Sequence, residues 1–301
     1  MSNQYLAPGV WGVIATPFLD RDLAVDTTSL DHLARHYESI GATGLTVLGV
    51  FGEAASLTLS ERALVLETVS NATSLPQVVG VTALSTQAAI DEILAAQAVS
   101  GMRFAAAMIQ VNSSIPKVVT DHLQTIRRDT GAAIVLQDYP AATGVTIKPA
   151  DLIDVVKACD FIAAVKAENA PTSAAISTIS PQIEAPIFGG LGGQGLLDEL
   201  LAGAAGAMTG FSYPEALIAC IQAWHEEGYE AARDALLPYL PLINFEQQPR
   251  IALAIRKECL HNRGLINRPH VRQPAATFPE GLRSSMLRHL QEVPQVQLES
   301  H

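Results

Sequence analysis

The chain is 301 residues long, half of it apolar (49%) and only 16% charged, with 30 acidic residues against 19 basic ones and a formal net charge of −11. The apolar stock is ample for a buried core and excludes general disorder. The acidic balance repels phosphate backbones and anionic membrane surfaces, which excludes nucleic acid and membranes as expected partners.

Cys159, Cys220 and Cys259 are odd in number, far apart and without a CxxC pair, which argues against a disulfide framework or a structural zinc site and fits a reducing cytosol. Met1 to Tyr5 lacks a basic run followed by an apolar one, and no later stretch approaches twenty apolar residues. The expected setting is therefore cytoplasmic, with no leader and no membrane span.

Eight short apolar runs read as strands: Val10 to Ala15, Gly44 to Leu48, Gln77 to Val81, Phe104 to Ile109, Ala132 to Leu136, Phe161 to Val165, Pro186 to Phe188 and Ala205 to Met208. They are apolar throughout rather than alternating, as a parallel sheet buried on both faces requires. Between them lie helical stretches such as Leu30 to Ile40, Ser60 to Thr73, Thr86 to Ser100, Ile115 to Asp129 and Pro149 to Ala158. Ser60 with Glu61 marks one helix start, and Pro149 and Pro214 suit a first helical position. Eight β/α units predict an α/β fold, a (β/α)8 TIM barrel, rather than a Rossmann-like sheet. The barrel is expected over residues 1–226. A helical extension over 227–301 (Glu230 to Ile243, Gln247 to Asn262, Glu280 to Val293) is expected to pack on it.

Chemistry in such a barrel gathers at the C-terminal strand ends. Lys166 closes the sixth run with small or apolar neighbours along the strand. It is either an inward-facing amine, whose charge desolvation disfavours as a nucleophile requires, or a solvated strand end paired with Glu168. Gly49 to Glu53 is either a plain βα turn or a loop whose Phe51 and Gly52 N–H groups meet a carboxylate. Gln137 to Gly144 brings Asp138 and Tyr139, two groups able to move protons, to the end of strand five, although such a loop is also an ordinary turn. Gly189 to Gly195 satisfies GxGxxG at Gly190, Gly192 and Gly195. It lies seventh of eight units before a short helix, so a glycine-rich substrate wall is the better reading than a dinucleotide fingerprint. Thr209 and Ser212 after strand eight either donate hydrogen bonds to substrate or pack. His32 and His36 have i,i+4 spacing without a third ligand, and a solvated helix face is expected there rather than a metal.

Thr16 to Phe18, the Gly-x-x-Gly-Glu of Gly49 to Glu53, the Pro-x-x-Thr-Gly of Pro140 to Gly144 and the lysine ending strand six together resemble the dihydrodipicolinate synthase / N-acetylneuraminate lyase family. The resemblance runs from about Gly9 into the C-terminal helices. It implies a Schiff base between Lys166 and a 2-oxo acid, no metal or organic cofactor, a carboxylate held at Val50, Phe51 and Gly52, and a homodimer or homotetramer. Val50 and Phe51 stand where the family carries proton-relay hydroxyls, Gln137 where it carries its tyrosine, and Ala142 where the synthase has its substrate-binding arginine. Gln137 to Pro140, Gly206 to Gly210 with Pro214, and Leu240 to Glu246 resemble the branch of 2-keto-3-deoxy-L-arabonate dehydratase.

The expected function is a class I lyase that dehydrates or cleaves a 2-keto-3-deoxy sugar acid. The expected catalytic residues are Lys166, Tyr139 as general acid/base and Asp138 as its alternative. Val50, Phe51, Gly52, Gln137, Gly190 and Thr209 are the expected substrate-binding residues. A pyruvate-releasing aldolase, a dihydrodipicolinate synthase-like condensation and a non-catalytic 2-oxo-acid-binding barrel are the alternatives.

Overall fold

The computed structural model describes residues 5–20, 22–99 and 101–294. Most of the N-terminal run judged not to be a leader, Ser100 and the last residues of the expected extension lie outside them.

Eight parallel strands close into a barrel in chain order: β1 (Gly9–Val13), β2 (Gly44–Val47), β3 (Gln77–Gly80), β4 (Phe104–Gln110), β5 (Ile134–Asp138), β6 (Ile162–Ala167), β7 (Ile187–Gly189) and β8 (Gly206–Thr209). The first strand pairs with both the second and the eighth. The apolar runs are buried on both faces because helices cover the outside and the strands' own side chains fill the inside, as the continuous pattern predicts.

The outer layer is α1 (Thr27–Ser39), α2 (Leu59–Ala72), α3 (Thr86–Gln97), α4 (Pro116–Thr130), the one-turn α5 (Pro140–Thr143), α6 (Pro149–Ala158), α7 (Thr172–Ile179), α8 (Leu196–Leu201) and α9 (Pro214–Glu226). Pro149 and Pro214 occupy first helical positions as expected. The start of α2 is corrected. Thr58, not Ser60, is the cap, in a reciprocal box where Thr58 N–H donates to Glu61 Oε2 at 2.9 Å and Glu61 N–H to Thr58 Oγ1 at 3.3 Å. The face expected to be solvated on α1 is half corrected. His32 is exposed, but His36 is buried, with Nε2 3.9 Å from Glu215 on α9.

The extension folds as α10 (Tyr229–Leu236), α11 (Leu240–Glu246), α12 (Ala252–Asn262) and α13 (Arg283–Glu292). Pro238 lies in the turn that splits the first expected helix, and α12 starts only at Ala252 because Pro249 and a left-handed Arg250 (φ 71) hold 247–251 out of the helix. That irregular segment reaches over the C-terminal mouth of the barrel. No helix among the described residues is long and apolar enough to cross a membrane.

Candidate active site

A cavity of about 260 Å³ opens at the C-terminal ends of the strands. Strand register sets its floor, since Gln137 on β5 pairs with Lys166 on β6 and Lys166 with Phe188 on β7. Strand alternation turns Lys166 and Glu168, two apart, to the same side. Lys166 is 5% exposed, and its Nζ lies 3.2 Å from Glu168 Oε2. Lys166 is therefore buried and paired. It faces the cavity, as the first of the two sequence readings has it, and the Glu168 pairing that belonged to the solvated reading is found inside the barrel mouth instead.

Glu168 is the hub of this arrangement. Gln137 Nε2 donates to its Oε2 at 2.6 Å, and Leu191 N–H approaches Oε1 at 3.4 Å. A Cβ at Gly190 would lie 2.4 Å from the same carboxylate, so glycine is needed there to let Glu168 turn inward. Thr209 Oγ1 accepts from Gly192 N–H at 2.7 Å and thereby holds the glycine-rich wall against β8.

After β2, residues 50–53 form a turn closed by Glu53 N–H donating to Val50 C=O at 3.1 Å. Phe51 and Gly52 are its two central residues, whose N–H groups a turn of this kind leaves outside its own hydrogen bond. Thr16 Oγ1 donates to Gly52 C=O at 2.7 Å, and Phe51 packs over Gly210. The turn is anchored from behind: Glu53 is buried, ion-paired with Lys257 of α12, and accepts from Arg272 N–H at 2.8 Å.

Of the expected site residues, Lys166, Tyr139, Val50, Phe51, Gln137 and Thr209 line the cavity. Asp138, Gly52 and Gly190 do not, and this corrects the expectation for all three: Gly52 lies behind Phe51 in its turn, Gly190 is covered by Glu168, and Asp138 faces away. The alternation that turns Gln137 inward, in register with Lys166, puts Asp138 in register with Ala167 on the other face. There its carboxyl is buried, and burial pushes it up to about 6 against a hydrogen bond with Asn169. Tyr139 does reach the cavity, past the end of β5. Burial, reinforced by the nearby Glu168 charge, raises its phenol, and Arg256 opposes that rise.

The sequence reading missed Gln247, Arg250 and Arg256, which enter the cavity from the extension. Nothing in local spacing could single them out, because α12 meets the barrel only through tertiary packing. Glu168 had a readable signal, its i,i+2 relation to Lys166.

Behind the cavity, Glu199 on α8 is 1% exposed, accepts from Thr172 Oγ1 at 2.6 Å and leaves Oε2 without a partner among the described residues. Burial raises its carboxyl to about 7, against a Thr172 hydrogen bond that favours the charged form. The folded state thus holds a proton that the unfolded chain has lost, and stability falls as pH rises from about 4.5 to about 7. Glu199→Gln should remove that dependence. Paired melts of variant and wild type are expected to coincide near pH 4.5 and to separate progressively in the variant's favour up to pH 7.5. A gap that does not change with pH would refute this reading of Glu199.

The dihydrodipicolinate synthetase family model matches residues 7–293. The chain is 25% identical over 296 residues to an L-2-keto-3-deoxyarabonate dehydratase of Azospirillum brasilense, covering 93% of this chain and 92% of that one. It is 26% identical over 297 residues to a 4-hydroxy-tetrahydrodipicolinate synthase of Porphyromonas gingivalis, covering 95% and 97%. Among solved structures, a dihydrodipicolinate synthase from Rhodopseudomonas palustris superposes with a TM-score of 0.88 at 28% identity, over 95% of this chain and 98% of that one.

Proposed function

Because the chain belongs to the dihydrodipicolinate synthetase family of enzymes, we propose that it is a lysine-imine lyase that removes water from a 2-keto-3-deoxy sugar acid. The observation that carries the reading is the Glu168 carboxylate, 3.2 Å from Lys166 Nζ inside the cavity. The strand-two turn offers Val50 and Phe51, which cannot move protons, so Glu168 is the group best placed to work next to the imine carbon.

In this reading Lys166 attacks the C2 carbonyl, and water leaves as the imine forms. The iminium draws electrons from C3, and Glu168 takes a C3 proton to give the enamine. The enamine electrons then expel the C4 hydroxyl, which leaves as water after taking a proton from Tyr139. Hydrolysis of the resulting conjugated imine frees Lys166. The strand-two turn, of which Val50 and Phe51 line the cavity, holds the C1 carboxylate through the Phe51 N–H. The likeness to the Azospirillum dehydratase supports dehydration over carbon–carbon cleavage.

Product analysis across five- and six-carbon 2-keto-3-deoxy acids tests the proposal. The expected product keeps every carbon and has lost one water, whereas pyruvate plus an aldehyde would establish an aldolase. Glu168→Gln keeps the Gln137 contact without a base, and is expected to lower kcat by about 10² to 10⁴ while leaving imine formation with pyruvate intact. Tyr139→Phe in the same assay should also cost more than about twofold, and a smaller effect would remove Tyr139 from the mechanism.

A further inference from the structure

We infer that the end of the cavity formed by the extension is a second anion subsite, so that the substrate carries an anionic group at its far terminus as well as at C1. This rests on the imine reading above and narrows its substrate class. Arg256 lines the cavity with its side chain 12% exposed, and its Nε is buried without a hydrogen-bond partner among the described residues. Its nearest carboxylate, Glu246, lies 3.7 Å away, beyond hydrogen-bonding distance, and is already bonded by Ser212 through both backbone and side chain. Gln247 Nε2 is likewise buried and unpartnered.

The Gln247 amide and the other end of the Arg256 guanidinium, Nη2, stand over one wall position. A Cβ at Gly192 would lie 1.5 Å from Gln247 Nε2 and 2.8 Å from Arg256 Nη2, so the missing side chain leaves room for them at the cavity wall. Buried donors left unpaired are costly, and a ligand that accepts from them removes the cost. The charged residues lining the cavity are Lys166, Arg250 and Arg256 against Glu168 alone, in a chain whose net charge is −11. A guanidinium fork fits a carboxylate or a phosphate, two oxygens at a time. The space equals that of roughly nine waters at about 30 Å³ each, enough for an acid of five or six carbons.

The test is calorimetric titration with three ligands that lack a C4 hydroxyl and so cannot be dehydrated: 2-oxohexanoate, 2-oxoadipate, and 2-oxohexanoate bearing a 6-phosphate ester. The two ligands with a second anionic group should bind the wild type at least about 10-fold more tightly than 2-oxohexanoate, and the tighter of them identifies the terminus. Arg256→Met should bring that preference within about twofold and leave pyruvate affinity unchanged. If that variant does not fold, Arg256→Lys and the exposed Arg250→Met decide, and the preference must fall in both. Equal wild-type affinity for the three ligands would overturn the inference. So would an Arg256→Met variant that loses pyruvate as severely as the two doubly acidic ligands, because Arg256 would then serve the first carboxylate. Failure of the imine reading appears separately, as the absence of a borohydride adduct with any ligand, since calorimetry reads anion preference without trapping.

Discussion

Wild-type protein treated with pyruvate and borohydride should gain the mass of one reduced pyruvate adduct, and Lys166→Ala should gain nothing. Turnover of the sugar acid should fall by on the order of 10⁴ or more in that variant, because the covalent route is lost entirely and enzymes commonly work at least about 10⁶-fold above the uncatalysed rate. Lys166 is the lysine in the cavity, 5% exposed, with Gln137 and Phe188 as its register partners on either side. Its ion pair with Glu168, at 3.2 Å, holds the amine in place inside the cavity. Trapping on Lys166→Ala equal to that on wild type would move the nucleophile elsewhere. No trapping on wild type with pyruvate or longer 2-oxo acids would favour a binding protein.

The largest effect on stability is expected at Lys257. The side chain is fully buried, ion-paired with Glu53, and its Nζ donates to His270 C=O at 2.7 Å while lying 4.2 Å from the centre of the Phe18 ring. Replacement by methionine fills similar volume but leaves the Glu53 carboxylate buried with one backbone N–H, from Arg272, as its remaining hydrogen bond. Breaking one side of a buried pair typically costs about 3–5 kcal/mol, which corresponds to a fall in Tm on the order of 10 °C. The double variant Lys257→Met/Glu53→Gln, with no stranded charge, should recover a large part of that loss. A double variant no more stable than the single one would show that the lysine acts through its packing and its bond to His270 rather than through the pair.

Much of this molecule could be read from the chain alone. Eight apolar runs of the right length and order are enough for a parallel barrel, because both faces of such a sheet are buried and each run therefore lacks a polar face. Lys166 was legible for the same reason, as a charged residue where the strand pattern demands apolar ones. Asp138 was misassigned because it neighbours Tyr139 in sequence, while the two-residue period of a strand sends adjacent side chains to opposite faces. His36 looked solvated because the polar position on α1 gave no hint of Glu215 across the helix interface. The cationic wall was invisible for a deeper reason. Gln247, Arg250 and Arg256 lie more than eighty residues from Lys166, and only the packing of α12 on the barrel brings them to the same cavity.

The placement of that wall has a consequence for synthesis. Domains tend to fold from the N-terminus as the chain emerges from the ribosome. All eight strands, Lys166 and the turn at 50–53 precede residue 210, so the proposed nucleophile is translated before the part of the pocket contributed by Gln247, Arg250 and Arg256. A barrel that closed at that stage would present the Lys166 amine to the metabolites around it without the residues proposed above to select among them. The latch between Glu53 and Lys257 is completed later still, so final positioning of the substrate turn waits on the translation of the extension.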